Sequence, residues 1–134
     1  MAAIEEVEGI GPALGQKLMS LGIRTTEALL ERAGSRSGRK HLAAEVGVSE
    51  QEVLKWVNRA DLMRIKGVGE EYSDLLEAAG VDSPAELAHR VPTTLHGTLE
   101  RLNAEKRLVR RLPTLKEVER WVQEAKALPR LVAH

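Results

Sequence analysis

The chain of 134 residues has no cysteine and no phenylalanine, and its 20 basic side chains are matched by 20 acidic ones. Without cysteine there is no disulfide, no thiolate zinc site and no thiol nucleophile, a composition that fits a reducing cytoplasm. Aromatic rings occur only at Trp56, Tyr72 and Trp121, too few for a single-strand binder that stacks successive bases. The formal net charge of zero lacks the basic excess usual in proteins that live on phosphate contacts, so nucleic-acid binding would have to come from a local patch. Long apolar runs are absent too. The residues before Gly9 carry Glu5, Glu6 and Glu8, so we expect neither an export signal nor a membrane span, and a cytoplasmic location.

What is present is self-similarity. A constant register shift carries Val7 onto Ile65, Gly9-Ile10-Gly11 onto Gly67-Val68-Gly69, Leu18 onto Leu76, Gly22 onto Gly80 and Leu29 onto Leu87. Further along, Ser49 to Val57 corresponds to Thr114 to Val122, with Trp56 meeting Trp121. The second shift is larger, so the second copy carries extra residues between its halves. The simplest reading is one duplicated unit, with repeats at residues 1–64 and 65–134 that share one core.

The periodicity is helical. Leu14, Leu18 and Leu21 fall on one face, as do Tyr72, Leu75, Leu76 and Ala79, while Val53, Trp56, Val57 and Ala60 are echoed by Val118, Trp121, Val122 and Ala125. Ser49 with Glu52, Ser83 with Glu86 and Thr114 with Glu117 have capping-box spacing, and Pro84 suits a first helical position. Gly22, Gly47 and Gly80 stand where helices need a left-handed stop. Strand-like alternation is missing. The expected fold is all-α, a compact bundle of about eight short helices from two pseudo-repeated units.

The stretches Gly9 to Gly22 and Gly67 to Gly80 each place two glycines around an apolar residue, followed by a helix ending in glycine. They resemble the helix-hairpin-helix motif. The full repeat, with the tract Asn58 to Met63, is similar to an uncharacterised bacterial family with tandem units of this kind. Helix-hairpin-helix proteins contact DNA phosphates without reading sequence, through amides at the start of the second helix. The resemblance therefore implies Gly9, Ile10, Gly11, Ala13 and Leu14 in the first copy, with Lys17 one turn on, and Gly67, Val68 and Gly69 in the second. The physics supports such a site, because free N–H groups and the positive dipole end of a helix attract anions. The two copies differ: Pro12 opens the first helix, whereas Glu70 and Glu71 open the second and would repel a phosphate. A Gly-apolar-Gly turn also serves packing alone, with Ile10 or Val68 plugging the core, and both readings stay open here.

Other features have bland alternatives. Leu42 through Trp56 has helix-turn-helix spacing around Gly47, but its second helix would lead with Glu50, Gln51 and Glu52, poor neighbours for phosphate. Two basic clusters are candidates for a phosphate-tracking patch or an acidic protein partner. One is Arg32, Arg36, Arg39 and Lys40; the other is Arg101, Lys106, Arg107, Arg110 and Arg111. Arg107, Arg110 and Arg111 have the spacing to share one helical face.

Catalysis finds little support. His41, His89, His96 and His134 are scattered, with Pro92 expected to end a helix between the middle two, and Ser35 and Ser37 have no evident partner base. We therefore expect no enzyme, no cofactor and no metal. The expected function is a binding module for duplex nucleic acid with little sequence preference; the alternative is a protein-interaction or assembly adaptor whose hairpins are structural.

Overall fold

The computed structural model describes residues 2–134. Its fold is all-helical, as the periodicity predicts. A 3-10 turn at Ile4–Glu6 precedes eight helices: α1 (Pro12–Ser20), α2 (Thr26–Ala33), α3 (Arg36–Val46), α4 (Glu50–Leu62), α5 (Glu70–Ala78), α6 (Pro84–Ala88), α7 (Pro92–Lys106) and α8 (Leu115–Ala127). Among the described residues the only extended pairing outside them is an isolated bridge between Ala3 and Thr25. The chain divides into two compact units. The first runs to Asp61 and takes back Arg130–His134; the second is Leu62–Pro129.

In the first unit the starts of α2, α3 and α4 are built by a short polar side chain accepting from a backbone amide. Thr25 accepts from the Ala28 amide at 3.1 Å, Ser35 from Gly38 at 3.0 Å and Ser49 from Glu52 at 3.1 Å. Such caps are each worth about 1 kcal/mol. Gly22 and Gly47 lie at φ of 86° and 83°, where the helices before them end, because only glycine enters the left-handed region without a Cβ penalty. The core of this unit is Leu18, Leu29, Leu42, Val53, Trp56 and Val57, all buried. Full burial of one such aliphatic side chain contributes about 1.5–3 kcal/mol.

The second unit repeats the method. Ser83 caps α6, and Thr114 and Glu117 form a reciprocal box at the start of α8. Leu75, Leu76, Leu87, Leu99, Val118 and Trp121 belong to its core cluster, with the Tyr72 ring tilted 51° against Trp121 at 5.2 Å between centroids. Pro92 does more than separate His89 from His96, since it occupies the first position of α7. That helix then stops at Lys106. Arg107 turns left-handed at φ 49°, the Asn103 carboxamide oxygen accepts from the Val109 amide at 2.9 Å, and Val109 is buried. Arg107, Arg110 and Arg111 therefore do not share a helical face. The chain leaves the helix to bury Val109 before they could line up.

Each glycine turn lies against a buried indole. Gly9 has φ 92°, and a Cβ added there would stand 3.1 Å from the indole nitrogen of Trp56. Gly67 has φ 90°, and its Cβ would stand 3.4 Å from the indole nitrogen of Trp121. Gly11 and Gly69 differ: both have negative φ and extended ψ, and a Cβ on either meets nothing within 4 Å. Gly9→Ala should therefore lower unfolding stability by about 1–3 kcal/mol, from the left-handed penalty together with displacement of the indole. Gly11→Ala should change it by less than about 0.5 kcal/mol. Urea titrations followed by circular dichroism test the contrast, and equal losses at the two positions would refute it.

Candidate phosphate-contact site

In the first unit, Gly11 is the N-cap of α1 without any side-chain cap, Pro12 takes the first helical position, and no acid stands in the first turn. The amides of Ala13 and Leu14 fall in the turn where helical N–H groups have no intrahelical partner. Gly11 and Ala13 are exposed. Ile10 is a different matter. Its amide donates to the Val7 carbonyl at 3.0 Å and its side chain is buried. In the second unit Val68 does the same, donating to Ile65 at 3.0 Å. Both leave the set of candidate donors, because the turn that places the apolar plug consumes its N–H.

Lys17 is also diverted. Its ammonium donates to the Val46 carbonyl at 3.3 Å, at the last residue of α3, where a cation complements the negative end of that helix. It does not serve the start of α1.

The second unit brings together two features that are far apart in sequence. A cleft of about 500 Å³ is lined by Gly67, Gly69, Glu70, Glu71, Arg110 and Arg111. The arginines come to the glycine turn, but with acids already facing them. Arg110 stands 3.7 Å from the Glu71 carboxylate, and Arg111 forks Glu117 with both nitrogens at 3.0 Å. The Tyr72 hydroxyl donates to the Arg111 carbonyl at 2.9 Å and holds that stretch of backbone. Burial raises the Tyr72 pKa, with the neighbouring Arg111 opposing. Arg101, Lys106 and Arg107 remain exposed around the end of α7.

The first basic cluster is largely structural. Arg39 is buried and donates to the carbonyls of Ala33 at 3.2 Å, Gly34 at 2.8 Å and Ala133 at 2.5 Å. Burial, then the neighbouring Arg36, lowers its pKa, with Glu50 opposing. Arg36 donates to the His134 carbonyl, and Arg32 pairs with Glu45 at 2.5 Å. Lys40 is the member left without such a duty among the contacts described. No motif in the sequence signals this; Gly34, buried in the same corner, is the nearest hint.

Among the histidines, His96 shares a hydrogen bond of 2.9 Å with the Pro113 carbonyl, while His41, His89 and His134 are exposed. Among the described residues no three His, Cys, Asp or Glu side chains are grouped to hold a metal ion. No helix of the described residues is long and apolar enough to cross a membrane.

With this geometry in place, comparison with known families is informative in one respect. Residues 8–128 match the model of a family described as Domain of unknown function (DUF4332), and the chain belongs to that family. No curated protein and no solved structure matches it.

The Arg111–Glu117 fork has a pH signature. Hydrogen bonds from Arg111, then from the Thr114 amide, hold the Glu117 carboxyl down to about 2 from an ordinary 4.5. A depressed folded pKa contributes stability that is present above the unfolded value and lost as pH falls toward the folded one. Wild type should therefore melt above Glu117→Gln near neutral pH, with the gap narrowing from about pH 4.5 downward. Thermal midpoints of the two proteins measured from pH 7 to pH 2 check this, and a gap independent of pH would contradict it.

Proposed function

We propose that this DUF4332 chain is a non-enzymatic binding module that works through protein contacts, with its two helix-hairpin-helix-like turns serving mainly as packing devices. One observation carries the reading: of the ten cations singled out for a phosphate-tracking surface, six are engaged by acids or main-chain carbonyls, and only Lys40, Arg101, Lys106 and Arg107 stay exposed without such an engagement among the described residues. Lys17 caps α3, Arg39 is buried on three carbonyls, Arg36 holds His134, and Arg32, Arg110 and Arg111 face Glu45, Glu71 and Glu117. Counterion release needs Lys and Arg side chains free to neutralise phosphates. Gly9 and Gly67 are accounted for by the indoles beneath them.

A second reading has its own support. The start of α1 is exposed, uncapped and free of acids, and the absence of a Cβ at Gly11 leaves room for a close approach. That arrangement suits a single phosphate contacted through backbone amides. Such a site would give weak duplex binding without sequence preference.

Fluorescence anisotropy with a labelled DNA duplex across a salt series separates the two. The protein-contact reading expects no saturable binding even at low salt. Binding that falls steeply with salt, and that is abolished by Ala13→Glu in a protein of unchanged stability, would overturn it and establish the phosphate site.

A further inference from the structure

The helix stops at Gly22, Gly47 and Gly80 use glycine at φ of 86°, 83° and 86°, whereas α7 stops on an arginine, Arg107, at φ 49°. Among the described residues Arg107 is the one non-glycine position with positive φ. A Cβ is disfavoured in that region, so glycine would serve the fold better there. A backbone outlier that packing does not explain points to a use for its side chain.

That side chain is exposed, and among the described residues no acid or carbonyl takes its guanidinium. Lys106 is exposed and unengaged in the same way, and Arg101 reaches only the Thr98 hydroxyl, at 3.4 Å. The backbone that carries Arg107 is held on both sides. The Asn103 carboxamide oxygen accepts from the Val109 amide at 2.9 Å, Val109 is buried, and the Tyr72 hydroxyl donates to the Arg111 carbonyl at 2.9 Å. A cation on an anchored connection needs less ordering when a partner arrives, which favours association.

Residues 100–111 hold five cations against two acids, Glu100 and Glu105. The two arginines of this stretch that are engaged show which anion the surface takes. Arg111 forks Glu117 with both nitrogens at 3.0 Å, and Arg110 stands 3.7 Å from the Glu71 carboxylate. Both partners are carboxylates, whose geometry matches the guanidinium fork. A nucleic-acid backbone is the poorer complement, because Glu100 and Glu105 are exposed among the cations and Arg101, Lys106 and Arg107 alone remain for phosphates. We propose that the end of α7 and the connection after it form a docking surface for an acidic protein segment. Arg107 is its anchor, with Arg101 and Lys106 as further carboxylate contacts. The proposal rests on the protein-contact reading and gives it a surface and a partner chemistry.

Fluorescence anisotropy of the full chain with labelled oligoglutamate tests this, and Arg107→Gly is the deciding variant. Glycine relieves the left-handed turn, so the variant should unfold at higher urea than wild type while its affinity for oligoglutamate falls about fivefold or more. Arg101→Gln combined with Lys106→Gln should lower affinity by a similar factor without touching the turn. Lys40→Ala, which removes an exposed cation from the first unit, should change affinity by less than about twofold. Absence of saturable oligoglutamate binding at low salt would overturn the proposal. Equal losses in Arg107→Gly and Lys40→Ala would do the same, since attraction would then follow net charge alone. So would tighter, Arg107-dependent binding of a labelled DNA duplex, which would make the surface a phosphate site. Failure here is distinct from failure of the broader reading: DNA binding abolished by Ala13→Glu defeats the protein-contact reading, whereas absent oligoglutamate binding defeats this surface alone.

Discussion

A glycine held at left-handed φ against a buried tryptophan is the constraint on which each unit depends. At Gly9 and Gly67 the backbone must turn with φ near 90°, and a Cβ would crowd the indole of Trp56 at Gly9 and stand in contact with that of Trp121 at Gly67. The two requirements reinforce one another. The turn places Ile10 or Val68 into the core and consumes its amide, and the next helix begins within a few residues, at Pro12 or Glu70. Trp56 and Trp121 head the fully buried side chains by size, so the largest volume in each unit sits where the backbone has the least. The indole nitrogen of Trp56 is buried without a hydrogen-bond partner among the described residues, a cost of about 1–3 kcal/mol that the packing must offset.

Electrostatics follow a different logic. Exposed ion pairs such as Arg32–Glu45 and Arg111–Glu117 contribute little to stability, about 0–1 kcal/mol each. Their larger consequence is that they occupy cations. A neutral chain can still present a basic face if its acids are segregated; here three arginines of the two basic clusters face acids and two are turned toward backbone carbonyls. What reads in one dimension as a patch is, in three, largely a set of fasteners.

The sequence was legible where causes are local. Caps at Ser49, Ser83 and Thr114, stops at Gly22, Gly47 and Gly80, and the faces around Trp56 and Trp121 all depend on neighbours within a turn or two, so the all-helical fold could be read from them. The site was less legible because its determinants are distant. Arg39 looked like a surface cation, yet it is taken up by three carbonyls, two nearby at Ala33 and Gly34 and one 94 residues away at Ala133. Arg110 and Arg111 meet Glu71 and the Gly67 turn only after α7 and its connection have folded. The end of α7 at Arg107 was hidden for a related reason. The spacing of Arg107, Arg110 and Arg111 permits a helix, and burial of Val109 with its Asn103 bond overrides it.

The glycine pairs also separate what the fold needs from what it merely permits. Packing accounts for Gly9 and Gly67 completely, through φ and through the indoles. It does not account for Gly11 and Gly69, whose φ values of −85° and −103° suit any residue and whose surroundings are open. Both are N-cap positions, where serine, aspartate or asparagine would satisfy a free amide and stabilise the helix by a few tenths of a kcal/mol relative to glycine. A bare N-cap is therefore slightly worse for the fold than its alternatives. Its physical effect is to leave the first-turn amides without a side-chain cap. In the second unit Glu70 and Glu71 supply negative charge beside those amides and disfavour an anion. In the first nothing does, which makes the start of α1 the place where the packing explanation of these turns stops being sufficient.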